Sequence, residues 1–150
     1  MQAFRIVKEK HALTAFSDDG ARAYGGRWNR PGVPMVYAAQ TRALAALEAL
    51  ANFAGAERRI PFVSFEIEIP DSLSIRLSSG DLPADWRSEE PRASTQDLGS
   101  EWQLRGDSVA LLVPSALIPQ EHCLLLNPEH PGTRKVMVRY PEPFRFDDRL

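Results

Sequence analysis

Four residues in this chain have the types that polar bond-breaking uses: Arg27, Tyr37, Glu48 and Ser115. Arg27 stands in GGRWN, where Gly25 and Gly26 relax the backbone and Pro31, Gly32 and Pro34 shape the return, so its guanidinium is offered from a formed loop. A planar guanidinium grips phosphate or pyrophosphate oxygens two at a time, and a phenol such as that of Tyr37 stacks on a planar heterocycle. A carboxylate such as Glu48 holds ribose hydroxyls and steadies the positive charge that develops as a glycosidic bond breaks. Together these groups suit a nucleotide glycoside. Spacing alone also accommodates a plainer description, with Arg27 on a loop surface, Tyr37 in the core and Glu48 solvated on a helix.

The elements that must carry these side chains are legible around them. Val33 to Ala39 reads as a short buried strand holding Tyr37, and Thr41 is a good N-cap for an Ala- and Leu-rich helix running to about Phe53. On that helix Leu44, Leu47, Leu50 and Ala51 form the apolar stripe, and Glu48, one turn beyond Leu44, falls on its edge, half turned inward. Ser115 follows the apolar run VALLVP (109–114), and its plainest role is to cap the turn from Ala116 to Pro119. Arg5 alternates with Phe4 and Ile6 in an opening strand, Ala3 to Val7, and spacing permits a surface position for it.

Elsewhere FVSFEIEIP (62–70) is the cleanest strand signal, with Glu66 and Glu68 on an outward face that is solvated rather than catalytic. Residues 11–24 are ambiguous between weak helix and ordered loop, broken at Ser17 to Gly20. Ser74 to Leu77 predicts a short strand, 78–95 a polar surface crossing around Trp86, and Thr95 to Leu104 a helix carrying Leu98, Trp102 and Leu104. HCLLLNP (122–128), Val136 to Tyr140 and Phe144 to Phe146 read as further strands. The expected architecture is a single α+β domain with a mixed, strand-rich core and a few helices.

Composition narrows the classes. At 150 residues and 43% hydrophobic content the chain suits one core, and a net charge of −2 supplies no general basic field for nucleic acid. The single Cys123 suggests a buried strand thiol in a reducing compartment, and Met1 to His11 lacks the apolar segment of a secretion signal, so a cytoplasmic location without membrane attachment is expected. His11, His122 and His130 are not spaced as metal ligands, and no metal is expected.

GGRWN, Tyr37 in VYAAQT, ALAALE ending at Glu48, VPS ending at Ser115 and LLLNPEHP (124–131) occur in an order that resembles the RES domain family, named for Arg, Glu and Ser. The resemblance covers nearly the whole chain. RES proteins are toxins of bacterial toxin-antitoxin pairs with Xre-like DNA-binding antitoxins. Their fold is similar to ADP-ribosyltransferases, and characterised members degrade NAD by hydrolysis or phosphorolysis or ADP-ribosylate a protein. The resemblance thus implies one RES domain over residues 1–150, NAD as substrate, inorganic phosphate as a candidate co-substrate, and an antitoxin covering the active site. It carries the family's Arg onto Arg27, its Tyr onto Tyr37, its Glu onto Glu48 and its Ser onto Ser115, and adds Arg5 as a basic group for the phosphates. Under it Arg27 and Arg5 bind pyrophosphate, Tyr37 packs on nicotinamide or its ribose, Glu48 holds the ribose, and Asn127 fixes the loop beside Ser115. A non-catalytic nucleotide-binding module and a pure interaction protein are the readings from other classes.

Overall fold

The computed structural model describes residues 1–53 and 55–150. Eight strands form one sheet: β1 (Gln2–Lys8), β2 (Val36–Ala39), β3 (Phe62–Glu68), β4 (Ser74–Arg76), β5 (Ala110–Pro114), β6 (His122–Leu126), β7 (Met137–Val138) and β8 (Glu142–Phe144). Their order is β4-β5-β6-β2-β1-β3-β7, with β8 also on β3, and among the described residues only β4 and β5 run parallel. Among the described residues three α-helices accompany them, α1 (Asp19–Tyr24), α2 (Arg42–Ala51) and α3 (Ala93–Arg105). The α+β expectation therefore holds.

The sheet curls. Ala3 of β1, Ile67 of β3, Ala38 of β2, Leu112 of β5 and Leu124 of β6 share one buried cluster, which strands this far apart in the order reach only if their common face is concave. On the other face, α2 covers Ile6, Ala39 and Phe62 with Leu44, Ala45 and Ala49, and α3 brings Trp102 against Trp28, Leu111, Val113 and Leu125.

The two neighbours of β1 hold it very unequally. β1 pairs with β3 over seven residues, from Gln2↔Glu68 to Lys8↔Phe62, but with β2 only at Phe4↔Ala39. Beyond that point β1 and β2 part, and the chain leaves a fork in the middle of its own sheet.

Several boundaries and faces differ from expectation. β2 begins at Val36 rather than Val33, because Pro34 has no N–H for a ladder, and Pro34 and Met35 are buried instead in the turn before it. On α2 the buried side chains are Leu44, Ala45 and Ala49, while Leu47 and Ala51 face out. Glu48 is three residues beyond Ala45 and four beyond Leu44, so it lies within the covered face rather than at its edge. Residues 11–24 resolve into a 3-10 turn (Glu9–Thr14) and α1, which includes Gly20. On α3 Leu104 is exposed, and the covered side is largely polar: Thr95, Ser100 and Gln103 beside Gly99 and Trp102. Val136 to Tyr140 shortens to two paired residues, and the last strand lies two residues earlier than predicted. Glu66 and Glu68 meet Gln2, Arg42 and Arg139 on the outer surface, as a solvated strand face should.

Candidate active site

The fork between β1 and β2 opens into a pocket of about 170 Å3, walled by Phe4, Arg5 and Ile6 of β1, Tyr37 and Ala39 of β2, Glu48 and Asn52 from α2 and its cap, and Cys123 of β6. Its volume is below the about 300 Å3 or more of sites that enclose drug-sized ligands. Thr41 sets the position of the carboxylate wall: its hydroxyl accepts from Leu44 N at 3.0 Å and starts α2 in the register that turns Glu48 toward the fork.

Arg5 spans the parting strands. Its Nε donates to Ala15 O at 2.7 Å and its Nη1 to Tyr37 O at 2.5 Å, so one guanidinium ties β1 to β2 where the backbone ladder stops. The side chain does point away from Phe4 and Ile6, but that face is covered by the turn ending at Ala15, and the surface position allowed by spacing is not adopted. Burial lowers its pKa to about 10, which leaves it charged near neutrality. No carboxylate pairs with it among the described residues, so the site holds a half-buried positive charge whose protein partners are carbonyl oxygens.

Tyr37 lends its ring to the pocket and its hydroxyl to the preceding loop. The hydroxyl donates to Asn29 Oδ1 at 2.6 Å and accepts from Trp28 N at 3.1 Å, and burial pushes its pKa far above the usual phenol range. Asn29, fully buried, also gives its Nδ2 to Ala21 O and Val33 O. Trp28 is buried against α3 and Asn29 within the loop, so both are loop-holding residues. Gly26 is required here, because a Cβ on it would stand 2.6 Å from the Tyr37 hydroxyl.

Arg27 lies outside the pocket wall. Its Nη1 donates to Trp86 O at 3.1 Å and Ser88 O at 2.7 Å, and its Nη2 to Glu89 O at 3.2 Å. The predicted surface crossing around Trp86 is thus folded back over the GGRWN loop and pinned by the arginine assigned to phosphate. A guanidinium with five donors meets several carbonyls at once, which is why it serves as the tie.

Glu48 and Ser115 meet directly, with Ser115 Oγ donating to Glu48 Oε1 at 2.7 Å. The plainer role of Ser115 coexists with this one, since its oxygen accepts from Leu117 N and Ile118 N, both at 3.1 Å, and so caps the turn. Asn127 is not beside Ser115. It follows the opposite end of β6, where its Nδ2 donates to Gln103 O and its Oδ1 accepts from Gln103 Nε2, anchoring the end of α3.

The fold therefore gathers Arg5, Tyr37 and Glu48 around one pocket, joins Ser115 to Glu48, and leaves Arg27 in the adjoining loop. Sequence reasoning missed the polar face of α3 that supports this loop: Gln96 Nε2 donates to Gly26 O, Ser100 Oγ accepts from Arg30 N, and Asp97 pairs with Arg30. Gly99 was the available signal, a glycine inside a helix where Trp28 O comes within 1.9 Å of where a Cβ would be. Among the described residues no group of three or more His, Cys, Asp or Glu side chains is placed to hold a metal, and no helix is long and apolar enough to cross a membrane.

The sequence pattern that describes the RES domain matches residues 2–147. The chain belongs to the RES domain family. A RES relative from Yersinia enterocolitica, Toxin Res, is 40% identical over 151 residues, an alignment covering 100% of this chain and 99% of that protein. The Prs ADP-ribosylating toxin of a Sphingobium species is 36% identical over 152 residues, covering 98% of this chain and 94% of its own length. Among solved structures, a chain of the M. tuberculosis MbcT-MbcA toxin-antitoxin complex superposes with a TM-score of 0.76 at 20% identity, covering 96% of this RES chain and 84% of that one. That likeness speaks for the fold.

Proposed function

We propose that this chain is the toxin of a toxin-antitoxin pair and that it breaks the bond between nicotinamide and ribose in NAD. The observation that carries the reading is the Glu48 carboxylate in the wall of the forked-strand pocket, with a half-buried, carboxylate-free Arg5 in the same wall. The names of the Yersinia and Sphingobium relatives support the toxin assignment.

In this reading the nicotinamide riboside end of NAD enters the pocket and the rest of the dinucleotide lies on the open side. A phosphate supplies the anion that Arg5 lacks, through the guanidinium hydrogens not spent on Ala15 and Tyr37. As the C1′–N bond breaks, its electron pair leaves with nicotinamide, and the positive charge at C1′ is met by Glu48 while it holds the ribose hydroxyls. An acceptor oxygen then bonds to C1′ and releases its proton. Water yields ADP-ribose, phosphate yields the ADP-ribose phosphate ester, and a protein side chain yields an ADP-ribosylated target. Transfer to a protein is the second reading, favoured by the name of the Sphingobium relative. Arg27 contributes by holding the loop that locates Tyr37, and binds phosphate directly only if the 86–89 backbone yields.

The test is nicotinamide release from NAD by the purified chain and by Glu48→Gln. Glutamine keeps an oxygen to accept from Ser115 but loses the charge, so the variant folds and turns over at least ~100-fold more slowly, the cost of a lost electrostatic stabiliser. Wild-type turnover by Glu48→Gln removes the carboxylate from the mechanism. In cells, expression of the chain alone arrests growth and depletes NAD, and co-expression of its DNA-binding, Xre-like antitoxin restores both. Harmless high expression of a chain that cleaves NAD in vitro refutes the toxin role.

A further inference from the structure

Glu48 has a second protein donor. Besides Ser115 Oγ at 2.7 Å, its Oε1 receives Cys123 Sγ at 3.2 Å. The two donors come from adjacent strands, Ser115 directly after β5 and Cys123 inside β6, where Cys123 pairs with Val113. Their directions are constrained independently. The Ser115 oxygen is occupied by the N–H groups of Leu117 and Ile118, which leaves its proton for Glu48, and Cys123 is fixed by five paired residues of the β5-β6 ladder. Both donors address the same oxygen, and none of the described residues donates to Oε2.

We infer that Cys123 is a positioning residue, which with Ser115 clamps Glu48 Oε1 to the sheet so that Oε2 is the oxygen presented to substrate. The inference rests on the proposed NAD-cleaving role of Glu48. A carboxylate at the end of a glutamate side chain turns readily about its last bond, and each orientation it samples away from the ribose is lost to catalysis. Two donors on one oxygen remove that freedom before substrate arrives, so little reorganisation remains for the reaction itself. The thiol is suited to donate: burial, and then the nearby charge of Glu48, raise its pKa well above the ordinary thiol range, so it stays protonated and does not compete as a nucleophile.

The experiment has two arms. In the first, steady-state nicotinamide release is compared for wild type, Cys123→Ala and Cys123→Ser. Loss of the donor lowers kcat about tenfold while KM stays within about twofold, because ground-state binding to the pocket walls is kept, and serine, which keeps a donor, recovers most of the loss. Unchanged kcat in Cys123→Ala, or equal losses in the alanine and serine variants with both folded, overturns the inference. The second arm needs no turnover. Cys123 is the chain's only cysteine, so its alkylation by iodoacetamide across alkaline pH reads the thiol directly. Glu48→Gln removes the charge beside the sulfur, and alkylation then shifts to lower pH. Identical profiles in wild type and Glu48→Gln show that thiol and carboxylate do not touch, and overturn the clamp whatever the activity. A wild type that releases no nicotinamide and labels no protein defeats the proposed function, and the alkylation profile still decides the contact.

Discussion

Tyr37→Phe separates a tyrosine that serves as a ring from one that serves through its hydroxyl. In the structure the oxygen makes two bonds, accepting from Trp28 N at 3.1 Å and donating to Asn29 Oδ1 at 2.6 Å. Asn29 is fully buried, and Trp28 is 3% exposed, so deleting the hydroxyl strands a backbone N–H and an amide oxygen in a region with no ready water. Each stranded group costs about 1–3 kcal/mol. Asn29 keeps its Nδ2 bonds to Ala21 and Val33, and the loop can close part of the gap, so the lowest part of the combined range applies, about 2–3 kcal/mol. For a chain of this size that corresponds to a fall in Tm of roughly 4–12 °C. Urea denaturation followed by tryptophan fluorescence measures it, since Trp28 reports on the loop itself; the midpoint falls with the slope unchanged. Because the ring remains in the pocket wall, KM for NAD changes less than stability does. A midpoint equal to wild type refutes the claim that the hydroxyl holds the GGRWN loop, and a stable variant with lost turnover returns the hydroxyl to the chemistry.

Two further substitutions probe the same loop. Arg27→Lys keeps the charge but cannot span the carbonyls of Trp86, Ser88 and Glu89, so trypsin cuts faster after the exposed Arg87 and NAD affinity falls; equal cleavage rates refute the tie. Gly99→Ala drives a Cβ to 1.9 Å from Trp28 O, a backbone atom that cannot rotate aside, so α3 and the loop separate, with a loss of about 3 kcal/mol read by thermal denaturation; an unchanged Tm refutes the close approach.

Local patterning carried much of this protein. Hydrophobic alternation located β3, continuous apolar runs located β5 and β6, Thr41 marked the start of α2, and the ordered motifs around Arg27, Tyr37, Glu48 and Ser115 pointed to the RES family. These are properties of neighbouring residues, and short-range sterics, capping and burial periodicity determine them. What the tertiary structure alone decided are the relations between distant segments. The early parting of β1 from β2 makes the pocket, yet neither strand's residues announce it, because a ladder ends where the packing of the whole sheet demands. Arg5 alternates like a surface residue and becomes half-buried because residues 9–16 fold over that face. Arg27 looked like a phosphate ligand and is engaged by a backbone segment about sixty residues away in the chain, as a guanidinium bonds whichever carbonyls the fold delivers. The meeting of Ser115 and Cys123 at one oxygen of Glu48 likewise depends on the β5-β6 register and on the rotation of α2, two quantities set by long-range packing.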